Sequence, residues 1–127
     1  MRSIEVVAAV IKNGNKILST QRGYGDYKGY WEFPGGKVEK GETFKNALRR
    51  EIKEELNANI IVNDLIKTIE YDYPKFHLVM HCFWCELESK LQLNEHLAST
   101  WLDKDSLYSV DWLEADIEIL KEIEKSL

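Results

Sequence analysis

The stretch GKVEKGETFKNALRREIKEELNA, Gly36 to Ala58, decides how the rest of the chain is read. In its second half Phe44, Ala47, Leu48, Ile52 and Leu56 recur at intervals of three and four, which predicts a helix from Thr43 to Leu56. Thr43 suits the N-cap, because its hydroxyl can accept from a free N–H of the first turn. Asn57 stands just past the last periodic residue, where a left-handed backbone is wanted and Asn is the usual substitute for Gly. The last turns carry Glu51, Glu54 and Glu55, where anions meet one another and the partially negative end of the helix dipole. On a helical wheel Glu51 and Glu55 fall inside the sector of Phe44 and Leu48, with Glu54 at its margin. A solvated charged face accounts for Lys45, Arg49 and Lys53, but not for carboxylates that share the apolar side. Hard oxygen donors gathered in this way suit a divalent cation, and Mg²⁺ is bound by a few carboxylates together with substrate phosphates. Arg50 can pair with one carboxylate and fix its direction.

Outward from this helix, the chain alternates strand and turn signals. IEVVAAVI (Ile4 to Ile11) and KILSTQ (Lys16 to Gln21) flank Asn13-Gly14, a strong signal for a tight hairpin. RGYGDYKGY reads as a loop, followed by the short strand WEF and a turn at Pro34-Gly35-Gly36. On the other side, NIIVNDLIKTIEYDY and FHLVMHCFWCEL are strand-like runs separated by Pro74, and Ser99 to Leu102 predicts one more short strand. Ile117, Leu120, Ile123 and Leu127 give the tail, Glu114 to Lys125, an amphipathic helical period. The pattern implies an α+β fold, with a mixed sheet covered by helices on its faces, in a single domain spanning residues 1–127.

With 127 residues, 44% hydrophobic and 31% charged, the chain can bury one real core, and its net charge of −5 argues against a polymeric nucleic acid as partner. A polyanionic substrate must therefore arrive with cations. The opening run is too short and too charged for a signal peptide, and no stretch approaches a membrane span, so a cytoplasmic protein is expected, a monomer or a homodimer.

Gly36, Glu42, Arg50, Glu51, Ile52, Glu54 and Glu55 match the signature of the Nudix hydrolases. That signature reads Gly, five residues, Glu, seven residues, Arg-Glu-apolar-any-Glu-Glu-any-Gly-apolar. Asn57 stands where the family has its second Gly, and it is the side chain that best tolerates a positive φ. The opening hairpin, the Trp31-Glu32-Phe33-Pro34-Gly35-Gly36 entry and the closing helix extend the resemblance to the MutT-type and CTP pyrophosphohydrolase-like branches. It implies an α/β/α sandwich and a Mg²⁺- or Mn²⁺-dependent enzyme that cleaves a nucleoside triphosphate to the monophosphate and pyrophosphate. The metal ligands it implies are Glu51, Glu54, Glu55, the Gly35 carbonyl and Glu95, with Glu51 or Glu54 as general base and Arg50 beside them. Arg22 is the expected phosphate donor, and Asp116, near the start of the last helix, the expected reader of the base, with Phe33, Trp31 and Tyr24 as stacking faces. An aspartate there suits the exocyclic amine of cytosine when ionised and also donates when protonated, so oxidised guanine and cytosine both remain open. A non-catalytic nucleotide-binding module is the competing class, disfavoured by the full set of signature carboxylates.

Cys82 and Cys85 form a C-x-x-C, but inside a strand, where the two thiols point to opposite faces, so neither a redox nor a zinc site is expected. On the same strand Leu78, Met80, Cys82 and Trp84 make the expected core face. The more polar face, with His77, Val79, His81, Phe83 and Cys85, is expected to border the substrate cleft.

Overall fold

The computed structural model describes residues 2–127. Its elements run β1 (Arg2–Asn13), β2 (Lys16–Gln21), β3 (Trp31–Glu32), β4 (Gly35–Lys37), α1 (Phe44–Leu56), β5 (Ile60–Tyr73), β6 (Phe76–Leu87), β7 (Ala98–Leu102) and α2 (Glu114–Glu124). The strands form one seven-stranded sheet with the path β3-β2-β1-β6-β5, while β4 pairs with β1 and β7 with β2. The β1–β6 pair is parallel, from Arg2↔Phe76 to Ile11↔Cys85, and its neighbours are antiparallel. This is the mixed sheet anticipated from the run of strands and helices.

Period-two alternation on β1 feeds two cores, one on each side of the sheet. Val7, Ala9 and Ile11 meet Ala47, Leu48, Ile52 and Leu56 of α1, whereas Ala8 and Val10 share a cluster with Ala115, Ile119, Leu120 and Ile123 of α2. Cys82 lies in the second cluster and Cys85 in the first, so the two buried thiols do face apart. Burial pushes both thiols well above their usual range, Cys85 up to about 12.

The helix signals hold in detail. Thr43 Oγ1 accepts from Asn46 N at 3.2 Å, and Asn57 closes α1 at φ 48°, ψ 38°. The first hairpin forms with Asn13 paired to Lys16, so its two turn residues are Gly14 and Asn15, one place later than the Asn13-Gly14 signal.

Two expectations are overturned. Gly35 and Gly36 are not a turn but part of β4, paired with Ala8 and Val7 of β1. The pairing is close enough that a Cβ on Gly35 would lie 2.0 Å from the Val7 carbonyl oxygen. Glycine serves here for contact rather than for turning. The second correction concerns β6, where His81, Phe83 and Cys85 are buried rather than open to a cleft. His81 stacks on Phe44 at the start of α1, with ring centroids 4.0 Å apart, and its nitrogens meet Thr68 Oγ1 at 2.8 Å and Glu5 Oε2 at 2.9 Å. Phe83 and Cys85 are buried under α1. The cleft is lined instead by Leu78 and Met80, from the face expected to be pure core. Among the described residues no helix is long and apolar enough to cross a membrane.

Candidate active site

Where β4 packs between β1 and α1, the helix presents its carboxylates to a groove of about 560 Å³, whose wall includes Arg22, Glu32, Gly35, Gly36, Arg50, Glu51, Glu54, Glu55, Glu95 and His96. Gly36 is fitted to the helix: a Cβ there would stand 2.5 Å from the Glu51 carboxyl carbon. The second glycine of the entry thus leaves the space that the Glu51 carboxylate fills.

Arg50 is the organising cation of this wall. Its Nε and Nη2 donate to the two carboxylate oxygens of Glu42, both at 2.8 Å, its Nη1 donates to Glu51 at 2.9 Å, and Nη2 also reaches the Lys37 carbonyl at 3.0 Å. The planar fork of a guanidinium suits such multiple donation. Hydrogen bonding to Arg50 holds the Glu42 carboxyl down at about 2, and the same bond, with Glu51 beside it, raises the guanidinium. Glu51 is only 16% exposed and Glu54 55%. Burial raises the Glu51 carboxyl despite Arg50. Glu55 is raised further, to about 9, first by burial and then by the charges of Glu51, Glu32 and Glu95. Its carboxylate accepts from Gly35 N at 3.0 Å.

A second, apolar cavity of about 110 Å³ opens beside the groove, lined by Ala8, Tyr27, Phe33, Tyr73, Phe76, Leu78, Met80, Leu113 and Asp116. The start of α2 is fixed against β3 by hydrogen bonds from Trp31 N to Asp111 O and from Leu113 N to Trp31 O, both 2.8 Å. That junction sets Asp116 against Phe33, whose N–H donates to Asp116 Oδ2 at 2.8 Å. Asp116 is 5% exposed, and burial pushes its carboxyl up to about 8 against the lowering effect of that bond. Arg22 and Glu32 line both spaces and join them. They are paired at 3.0 Å; burial works against the charge of Arg22, but Glu32 together with Asp116 and Tyr24 raises the guanidinium overall. Phe33 is buried beside Trp112 while lining the cavity, Trp31 packs half-buried against the α2-side core, and Tyr24 is exposed at the groove.

The structure therefore gathers Arg22, Gly35, Arg50, Glu51, Glu54, Glu55 and Glu95 on one groove and Phe33 and Asp116 in the adjoining cavity. Glu32, Tyr73, Phe76, Leu78, Met80 and His96 are lining residues that the sequence reading passed over. A lone glutamate inside the aromatic WEF run was the one available signal for Glu32.

A NUDIX domain matches residues 1–123. The chain belongs to the Nudix family. The CTP pyrophosphohydrolase of Escherichia coli (strain K12) is 35% identical over 123 residues, covering 95% of this chain and 91% of that protein. The 8-oxo-dGTP diphosphatase of Proteus vulgaris is 33% identical over 100 residues, covering 77% and 88%. The solution structure of the E. coli ORF135 protein superposes with a TM-score of 0.87 at 34% identity, covering 98% of this chain and 91% of that one. The chain is thus a Nudix hydrolase of the MutT type, with an α+β Nudix fold.

Nudix hydrolases act on small nucleotide substrates with a divalent metal. The residues present fit such an ion. Glu51, Glu54, Glu55 and the Gly35 backbone supply only hard oxygen donors, and Glu55 is an under-compensated buried carboxyl whose neighbours repel it. Among the described residues no three ligating side chains already converge, and Arg50 Nη1 lies 2.9 Å from Glu51 and 3.6 Å from Glu54.

Proposed function

We propose that this protein is a single-domain, Mg²⁺-dependent nucleoside triphosphate pyrophosphohydrolase that releases pyrophosphate and a monophosphate from an oxidised purine triphosphate such as 8-oxo-dGTP. The observation that carries this reading is the continuity of the two spaces. An acidic groove sized for a polyphosphate runs through Arg22 and Glu32 into an apolar cavity with one buried acid, Asp116, on its wall. Glu51, Glu54, Glu55, Glu95 and the Gly35 carbonyl would hold the cation, which supplies neutralisation of polyphosphate charge and a lowered pKa for water. Arg50 keeps Glu51 and Glu54 in place, and one of these two accepts the proton of the attacking water. Arg22 donates to a phosphate oxygen. The base slides between Phe33 and the apolar residues of β6, and Asp116, still protonated at neutral pH, offers it both a donor and an acceptor. Such an activity belongs to nucleotide-pool sanitation in a cytoplasmic setting.

A second reading, a CTP or dCTP pyrophosphohydrolase, is favoured by the breadth of the match to the E. coli protein of that name, and the edge of a carboxylic acid also suits the cytosine amine. Comparison of kcat/KM across 8-oxo-dGTP, dGTP, CTP, dCTP and 5-methyl-dCTP decides between them. The expected result is a preference of at least ~10-fold for 8-oxo-dGTP over every other member. A maximum at a cytosine nucleotide replaces the first reading with the second, and no pyrophosphate from any substrate ends both.

A further inference from the structure

His96 is a histidine with no apparent reason to be where it is. Its side chain is 4% exposed, its Nδ1 is buried without a hydrogen-bond partner among the described residues, and its Nε2 stands 3.5 Å from Glu32 Oε2. A buried nitrogen left unpaired is unfavourable, so one that is kept calls for an explanation. Packing alone would be better served by an apolar ring of similar size.

The surroundings show what this contact holds. Glu32 is 15% exposed and has a division of labour between its oxygens: Oε1 takes Arg22 Nη2 at 3.0 Å, while Oε2 lies between Arg22 Nε at 3.4 Å and His96 Nε2. The backbone around these side chains is tied together. Leu97 N donates to Gln21 O at 2.9 Å, and a Cβ on Gly23 would meet the Glu95 carbonyl at 2.2 Å. The loop bearing His96 therefore rests directly on the exit of β2 that bears Arg22.

We infer that His96 is a positioning residue: it anchors Glu32 from the side away from Arg22 and so fixes the guanidinium at the doorway between the apolar cavity and the acidic groove. The inference rests on the reading of these two spaces as base and polyphosphate sites. A guanidinium there faces two competing acceptors, Glu32 and a substrate oxygen. With Glu32 held from behind, Arg22 keeps Nη1 free to turn to the substrate without the carboxylate following it. Without the imidazole, the carboxylate that now takes Arg22 Nε and Nη2 is free to swing round towards Nη1, and the substrate loses that donor.

The test compares wild type, His96→Phe and His96→Gln, with Tm measured for each. Phe keeps the ring and removes both nitrogens; Gln restores an N–H that can reach Glu32. The expected result for His96→Phe is a KM for the triphosphate raised ~10-fold with kcat changed less than ~3-fold, an unchanged Mg²⁺ requirement, and substantial recovery in His96→Gln. Affinity for a non-hydrolysable triphosphate should follow KM, with no further loss when His96→Phe is added to Arg22→Ala. Equal affinity of wild type and His96→Phe overturns the inference, as does a Gln variant no better than Phe at the same Tm. A changed Mg²⁺ requirement in place of the KM effect would also overturn it by assigning the role to neighbouring Glu95. No turnover in the wild type would overturn the proposed reaction instead, and the affinity comparison still judges His96.

Discussion

Asp116 combines an acidic residue, nearly complete burial and little hydrogen bonding, chiefly from Phe33 N. Burial removes the hydration of the carboxylate and these bonds do not replace it, so the folded chain keeps the proton up to about pH 8. The unfolded chain releases it near the ordinary aspartate value of about 4. Between these values the folded state binds more protons than the unfolded one, so this residue makes stability fall as pH rises, with its full penalty present above pH 8. Asp116→Asn keeps an acceptor for Phe33 N and cannot ionise. The urea midpoint of the wild type should decline between pH 5 and pH 8 relative to that of Asp116→Asn, the two curves diverging towards alkaline pH. Parallel curves would show that the carboxyl is ionised and compensated. The position of Asp116 was legible from its place at the start of the last helix; its partner was not, since a backbone donor brought from Phe33 leaves no mark in composition. Glu32 was hidden for a related reason, because its meaning lies in Arg22 and His96, both distant in sequence.

Among the elements, α1 was the most legible, since its period, N-cap and Asn57 closure all act within one turn of chain. What finishes it comes from elsewhere. The C-terminal carbonyls of a helix need partners, and here they are found in the loop between β6 and β7: Gln92 N bonds Leu56 O at 2.7 Å, Asn94 N bonds Glu55 O at 2.9 Å, and Asn94 Nδ2 bonds Glu54 O at 2.8 Å. The same capping residues hold the acidic loop, with Glu95 next in sequence, beside the signature glutamates. Asn94→Ala removes one of these bonds and should cost about 1 kcal/mol of stability. Its more specific consequence is a half-saturating Mg²⁺ concentration raised several-fold, with KM at saturating Mg²⁺ little changed. An unaltered Mg²⁺ dependence would mean that the loop has no part in holding the cation. The strands were harder to orient than the helix. On β6 the far half of the polar-looking face is closed by α1, so the look of the His77 to Cys85 set was misleading there; His81 is buried with its own partners, Thr68 and Glu5, beneath Phe44. β4 was misread because Gly-Gly after proline signals a turn locally, and only its closeness to β1 and Glu51 shows another use.

At the scale of the molecule, the parallel β1–β6 pair and the two cores place a strongly acidic groove on a protein already carrying a net charge of −5. Arg50 compensates Glu42 and Glu51, but Glu55 remains raised by burial and by the charges of Glu51, Glu32 and Glu95. Folding thus crowds carboxyls that the unfolded chain would keep apart, and the groove is a place where the fold stands to gain from a bound cation. A ligand that binds only the folded state adds stability of about 2.7 kcal/mol at a hundredfold excess over its Kd. Mg²⁺ at such an excess should therefore raise Tm by several degrees, whereas NaCl at matched ionic strength should not, because diffuse screening over about 10 Å acts weakly on partly buried charges. In Glu51→Gln/Glu55→Gln the repulsion and the ligands are removed together. That variant should unfold at a higher temperature than the metal-free wild type, show no rise with Mg²⁺ and release no pyrophosphate. A variant that still responds to Mg²⁺ as the wild type does would place the cation away from these carboxylates.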